Sequence, residues 1–87
     1  MQADHEKIRR LVMTARGQLD GILKMIEEDR YCVEISTQLS ATEALLKKAN
    51  QEIMRAHIRG CVKEAMQAKD PTEKIEEALH LLEKMAQ

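Results

Sequence analysis

Cys32, His57 and Cys61 are the residues of this chain whose types and spacing point most directly to chemistry. Thiolate and imidazole donors suit thiophilic metals: Cu(I), zinc, nickel or cobalt. His57 and Cys61 stand four apart in a run of helical apolar spacing, which puts both on one helix face. Two sulfurs and one nitrogen make a trigonal, soft set that favours Cu(I), whereas structural zinc ordinarily takes a fourth ligand. His5 or His80 could supply that fourth donor. Cys32 precedes His57 by 25 residues. Along one helix that is about 37 Å, against metal–ligand bonds of about 2.0–2.3 Å. If Cys32 joins the pair, either the helix breaks or Cys32 comes from another subunit running antiparallel.

Taken singly, a cysteine on an apolar face is a small buried hydrophobe. Cysteine and histidine at this spacing could also act as nucleophile and base. Nothing in the sequence assigns them an orienting acid or amide, and there is no glycine-rich phosphate loop and no pair of Cys-x-x-Cys units. The reading is therefore binding without turnover.

The elements that must position these donors are helical. From about Asp4 to Asp29, Ile8, Leu11, Val12, Ala15, Leu19, Ile22, Leu23 and Ile26 recur at spacings of three and four. Gly17 and Gly21, one turn apart, predict close helix contact on their face, or the approach of a ligand or DNA phosphate to the backbone there. The charged run Glu27–Arg30 ends the pattern and predicts a tight turn near Arg30. A second helix is expected from Cys32 to Gln67, with Ile35, Leu39, Thr42, Leu45 or Leu46, Ala49, Ile53, Ala56, Cys61 and Ala65 on a broad apolar stripe. Its length exceeds the roughly 8–20 residues usual in globular helices, so one short neighbour cannot cover the stripe, and a bundle of several chains is expected. Asp70-Pro71 breaks the chain. Asp70 or Thr72 would cap a third helix from Thr72 to Lys84, with Ile75, Ala78, Leu79, Leu82 and Met85 inward.

The 87 residues are enough for a single domain, 1–87, and the aromatic content is one tyrosine with no phenylalanine or tryptophan. Any core is built from aliphatic residues, and a chain this short often needs a metal or a partner. The net charge of −1 gives no global argument for nucleic acid. Locally, six basic residues against three acids lie between Glu43 and Lys69. This is an ordinary solvated surface or, repeated in an oligomer, a DNA-facing one. No signal-like apolar segment and no membrane-length apolar run occur, so a cytoplasmic location with reduced thiols is expected.

Gly17-Gln18 through Gly21-Ile22, the stretch Met25-Ile26-Glu27-Glu28-Asp29-Arg30-Tyr31-Cys32, then Gln38, Ser40-Ala41 and His57-x-x-x-Cys61-Val62 together resemble the copper-sensing and related metal-sensing transcriptional repressors. The resemblance covers nearly the whole chain. It implies an all-α, three-helix protomer, an antiparallel dimer and a dimer-of-dimers tetramer. It implies a Cu(I) site made of Cys32 from one chain with His57 and Cys61 from the other. Tyr31 and Glu77 match positions that tie the ligands to neighbouring structure. The implied activity is repression by the metal-free protein on operator double-stranded DNA, with copper releasing the DNA and derepressing copper-resistance genes. Leu11 and Thr14 stand where members often carry arginine, which moves the expected DNA contacts to Arg10 and Arg16, supported by Lys47 and Lys48. Other readings are a nickel- or cobalt-responsive relative recruiting His5, a formaldehyde-responsive relative, against which Cys61 argues, a persulfide-responsive relative, against which His57 argues, and a cytosolic copper buffer without DNA function.

Overall fold

Three helices follow one another in the computed structural model, which describes residues 1–86: α1 (His5–Glu27), α2 (Cys32–Gln67) and α3 (Thr72–Met85). All-α architecture is the outcome expected from the apolar periodicity, and α2 begins and ends at the expected residues. No helix among the described residues is long and apolar enough to cross a membrane.

The turn after α1 is closed by backbone bonds. The Arg30 N–H donates to the Met25 carbonyl at 3.0 Å, and the Asp29 N–H donates to the Ile26 carbonyl at 3.0 Å. This pair of bonds is the Schellman arrangement, which satisfies carbonyls left open at a helix end. It requires a left-handed residue, and Asp29 supplies it at φ 53°. Aspartate tolerates that region better than most non-glycine residues. Helix α2 then starts on the Tyr31 carbonyl, which accepts the N–H groups of Glu34 and Ile35.

The start of α3 is fixed by Asp70. Its carboxylate accepts the Thr72 N–H at 3.1 Å and the Thr72 hydroxyl at 2.7 Å. These bonds hold the Asp70 carboxyl below its ordinary pKa, the hydroxyl bond contributing most. Pro71 is the capping residue itself, and its carbonyl accepts the Ile75 N–H.

The chain forms two compact units. One is His5–Asn50, holding α1 and the first half of α2; the other gathers Met1–Asp4 with the chain from Gln51 onward. In the first unit, Ile8, Ala15 and Ile22 are buried at seven-residue intervals on α1, and Thr42 and Ala49 repeat the interval on α2. A seven-residue repeat keeps one seam facing a neighbouring helix. The Thr42 hydroxyl, in that seam, lies 2.8 Å from Gln18 Oε1 and 3.1 Å from the Gln38 carbonyl. Its single proton serves one of these acceptors at a time. In the second unit Cys61 and Ala78 are buried.

Several residues expected to face inward do not. Val12, Leu19, Leu23, Ile26, Leu39 and Leu46 in the first unit stay 41–57% exposed, and Ile75, Leu79 and Leu82 on α3 stay 46–50% exposed. Within each unit the α2 segment packs against one other helix, α1 in the first and α3 in the second, so one seam closes and the flanking apolar face is left over. A Cβ built at Gly17 or Gly21 meets nothing within 4 Å, so no close helix contact within the chain requires those glycines.

Candidate metal centre

His57 and Cys61 lie one turn apart on α2, and Glu77 on α3 reaches both of them. Glu77 Oε1 is 3.3 Å from His57 Nε2, and the Cys61 thiol donates to Glu77 Oε2 at 3.4 Å. The three residues each offer one ligand atom, all within 4.8 Å of one another. The α2 register sets the first two donors, and the Asp70–Thr72 cap sets where α3 begins, hence where Glu77 stands. All of these residues belong to the unit that begins at Gln51.

Lys74 completes the local charge balance. Its Nζ is 2.9 Å from Glu64 Oε2 and 3.4 Å from Glu77 Oε2. Hydrogen bonds to Glu64 and then Glu77 raise its pKa, so the ammonium stays charged. Glu77 in turn is held below the ordinary carboxylate range, first by the His57 bond, then by Cys61 and Lys74. Cys61 is 3% exposed and borders an apolar hollow of about 130 Å³ shared with Val62, Ala65, Ile75, Ala78, Leu79 and Lys74. Burial, followed by the bond to Glu77, pushes its thiol above the ordinary value. The metal-free thiol is therefore protonated at neutral pH, and a metal that takes the sulfur must expel that proton.

Cys32 opens α2 in the other unit and is exposed, with its thiol free. Tyr31 beside it is 67% exposed. His5 sits at the start of α1 with Glu6 3.9 Å away, and His80 is exposed on α3; neither belongs to the three-residue cluster. Arg10, Arg16, Lys47 and Lys48 are all exposed. At about 100° per residue, Arg10 and Arg16 point about 120° apart on α1.

The donor chemistry fits a soft ion in part. Sulfur and imidazole nitrogen from His57 and Cys61 match Cu(I), while the carboxylate of Glu77 does not. A soft site therefore wants a further sulfur, and Cys32 is the remaining cysteine in the sequence. Lys74 and Glu64 were not singled out from the sequence. The Lys74–Glu77 pair at i,i+3 was a legible signal; the Glu64 partner, ten residues away across a break, was not.

A family profile described as metal-sensitive transcriptional repressor matches residues 4–84. The chain is 33% identical over 81 residues to the copper-sensing transcriptional repressor CsoR of Bacillus subtilis, covering 93% of this chain and 80% of that protein. It is 45% identical over 53 residues to the copper-sensing repressor CsoR of Mycobacterium ulcerans, covering 61% of this chain; the match spans 45% of that longer protein. Among solved structures, the nickel-responsive regulator InrS superposes with a TM-score of 0.86 at 21% identity, covering 98% of this chain and 96% of that one. The copper-sensing repressor CsoR with Cu(I) from Geobacillus thermodenitrificans superposes with a TM-score of 0.78 at 28% identity, covering 94% and 85%.

Proposed function

We propose that this chain, which belongs to the metal-sensitive transcriptional repressors, is a Cu(I)-responsive repressor that binds operator DNA when metal-free. On taking up copper it releases the DNA and derepresses copper-resistance genes. The observation that carries the reading is the phase of Cys32 on α2. Cys32, Leu39 and Leu46 recur every seven residues and all three are exposed. Seven residues return almost to the same helix face. The buried row of Thr42 and Ala49 lies three positions on, about 60° round the helix. Cys32 thus stands in the apolar stripe that one chain leaves uncovered.

An antiparallel second copy covering that stripe brings Cys32 of one chain toward the His57 and Cys61 end of the other. Two-fold symmetry then gives two equivalent sites per dimer, and pairing of dimers gives a tetramer. His57 supplies nitrogen, and Cys61 and the second copy's Cys32 supply sulfur. Cu(I), when bound, would supply a soft centre for sulfur and nitrogen, with Cys61 holding it as the thiolate after its proton has left to solvent. Cys61 then gives up the hydrogen bond it donates to Glu77, and Glu77 keeps its partners His57 and Lys74. Tyr31 and Glu77 tie the ligands to the surrounding helices without ligating copper themselves. Exposed Arg10, Arg16, Lys47 and Lys48 meet DNA phosphates. Linkage then requires DNA and copper to weaken one another's binding by the same factor.

The test is an anaerobic titration against DNA selected from a random-sequence pool by the metal-free protein. Cu(I) is expected to weaken binding by about 5–150-fold, the usual range of such coupling, and Ni(II) to do far less. Absence of specific DNA binding, with tight Cu(I) uptake retained, would make the protein a copper buffer. A larger response to Ni(II) than to Cu(I) would move it to a nickel-responsive role.

A further inference from the structure

His57, Cys61 and Glu77 are gathered within one chain, before any second copy contributes a donor. We infer that they form a second mode of metal binding: an intrachain site for a borderline divalent ion such as Zn(II), with Glu77 as a direct ligand and one position left for water. The inference goes beyond the copper reading and does not depend on it.

The distances carry it. In a tetrahedral site with bonds of about 2.0–2.3 Å, neighbouring ligand atoms are about 3.3–3.8 Å apart. Glu77 Oε1 to His57 Nε2 is 3.3 Å, and Glu77 Oε2 to Cys61 Sγ is 3.4 Å. One carboxylate oxygen, Oε1, stands at tetrahedral edge length from His57 Nε2 and the other, Oε2, from Cys61 Sγ, and one donor atom from each of the three residues lies within 4.8 Å of the others. An ion bound here would replace the protons that bridge these atoms now: the Cys61 proton would leave to solvent as a metal–sulfur bond formed, and the His57 proton would shift to Nδ1, freeing Nε2 to ligate. Ligation through Oε1 leaves Oε2 for Lys74.

Ligand hardness separates the two modes. Carboxylate oxygen suits zinc and harder ions and is a poor ligand for Cu(I). A divalent ion therefore recruits Glu77, whereas Cu(I) recruits the second sulfur of Cys32. Glu77 is the selector: as a ligand it gives up its hydrogen bond to His57, and as a hydrogen-bond partner it leaves the ion to sulfur and nitrogen.

The experiment is Co(II) uptake by the Cys32→Ala protein, followed by absorbance and by Zn(II) competition, with helix content monitored. One Co(II) per chain is expected, with a sulfur-to-cobalt charge-transfer band and the intense visible bands of four-coordination. Glu77→Gln in the same background should weaken uptake by at least about tenfold, since loss of even an outer partner costs about 10–100-fold. Failure of Cys32→Ala to bind Co(II), or unchanged affinity and spectrum in Cys32→Ala/Glu77→Gln, overturns the proposal. If Glu77→Gln loses helix, infrared difference spectra of Zn(II)-loaded Cys32→Ala decide: a zinc-induced carboxylate shift supports the site and its absence overturns it. Cu(I) affinity of Cys32→Ala reports separately on the interchain reading, which stands or falls on its own.

Discussion

Cys61 concentrates the chemistry of the site. It is buried beside an apolar hollow, and its thiol proton is shared with a carboxylate that is itself held ionised. With Cys61 as the proposed copper ligand, uptake would remove that proton, so the apparent Cu(I) affinity should rise with pH by at least about tenfold per unit through the neutral range. Competition with a Cu(I) chelator between pH 6 and 8 checks this; a flat profile would mean that Cys61 is not a ligand. Glu77 gives the opposite limb. Its folded-state pKa is depressed, so the stability it contributes is present above the ordinary carboxylate value and disappears as pH falls through the lower folded value. The group is partly exposed, so the loss is modest. Tyr31→Phe and Glu77→Ala should retain Cu(I) but lose much of the copper-dependent weakening of DNA binding. Direct DNA titrations with unchanged coupling would remove both residues from the mechanism.

The helices were legible because their apolar spacing is regular and their stops are chemical. Asp70-Pro71 ended α2 and started α3 where expected, and the charged run ended α1. The His57–Cys61 pair was legible for the same reason, since i,i+4 geometry is local. The contacts of Glu77 were not: they depend on where α3 returns against α2, and periodicity does not report that. Which apolar residues close a seam and which stay open was equally hidden, because Val12 and Ala15 read alike until a neighbouring helix takes one face. The turn after α1 yields its own prediction. Asp29 holds a left-handed conformation that costs a non-glycine residue about 1–2 kcal/mol, partly relieved for aspartate. Asp29→Gly should therefore raise stability by up to about 1 kcal/mol. Urea unfolding of the metal-free protein measures it, and destabilisation would show that the Asp29 side chain has a stabilising role outweighing its backbone strain.

At the scale of the whole molecule, α1 and α2 leave apolar rows exposed, Val12, Leu19, Leu23 and Ile26 on one and Leu39 and Leu46 on the other. Exposed apolar rows of this kind mark interaction sites, and under the proposed interchain site the seven-residue phase of Cys32 would tie the stripe to the metal. Leu39→Glu and Leu46→Glu leave the donors untouched but put charge in that stripe. Both variants should dissociate the assembly in analytical ultracentrifugation and lose tight Cu(I) binding together. Dissociation with copper affinity intact would separate assembly from sensing. The most direct test of the interchain site mixes Cys32→Ala protein with Cys61→Ala protein after reversible unfolding, anaerobically, and counts tightly bound Cu(I). Neither variant alone should bind tightly, while each mixed dimer regains one complete site and binds one copper. Tight binding by either variant alone, or none in the mixture despite mixed dimers, would contradict a site shared between chains.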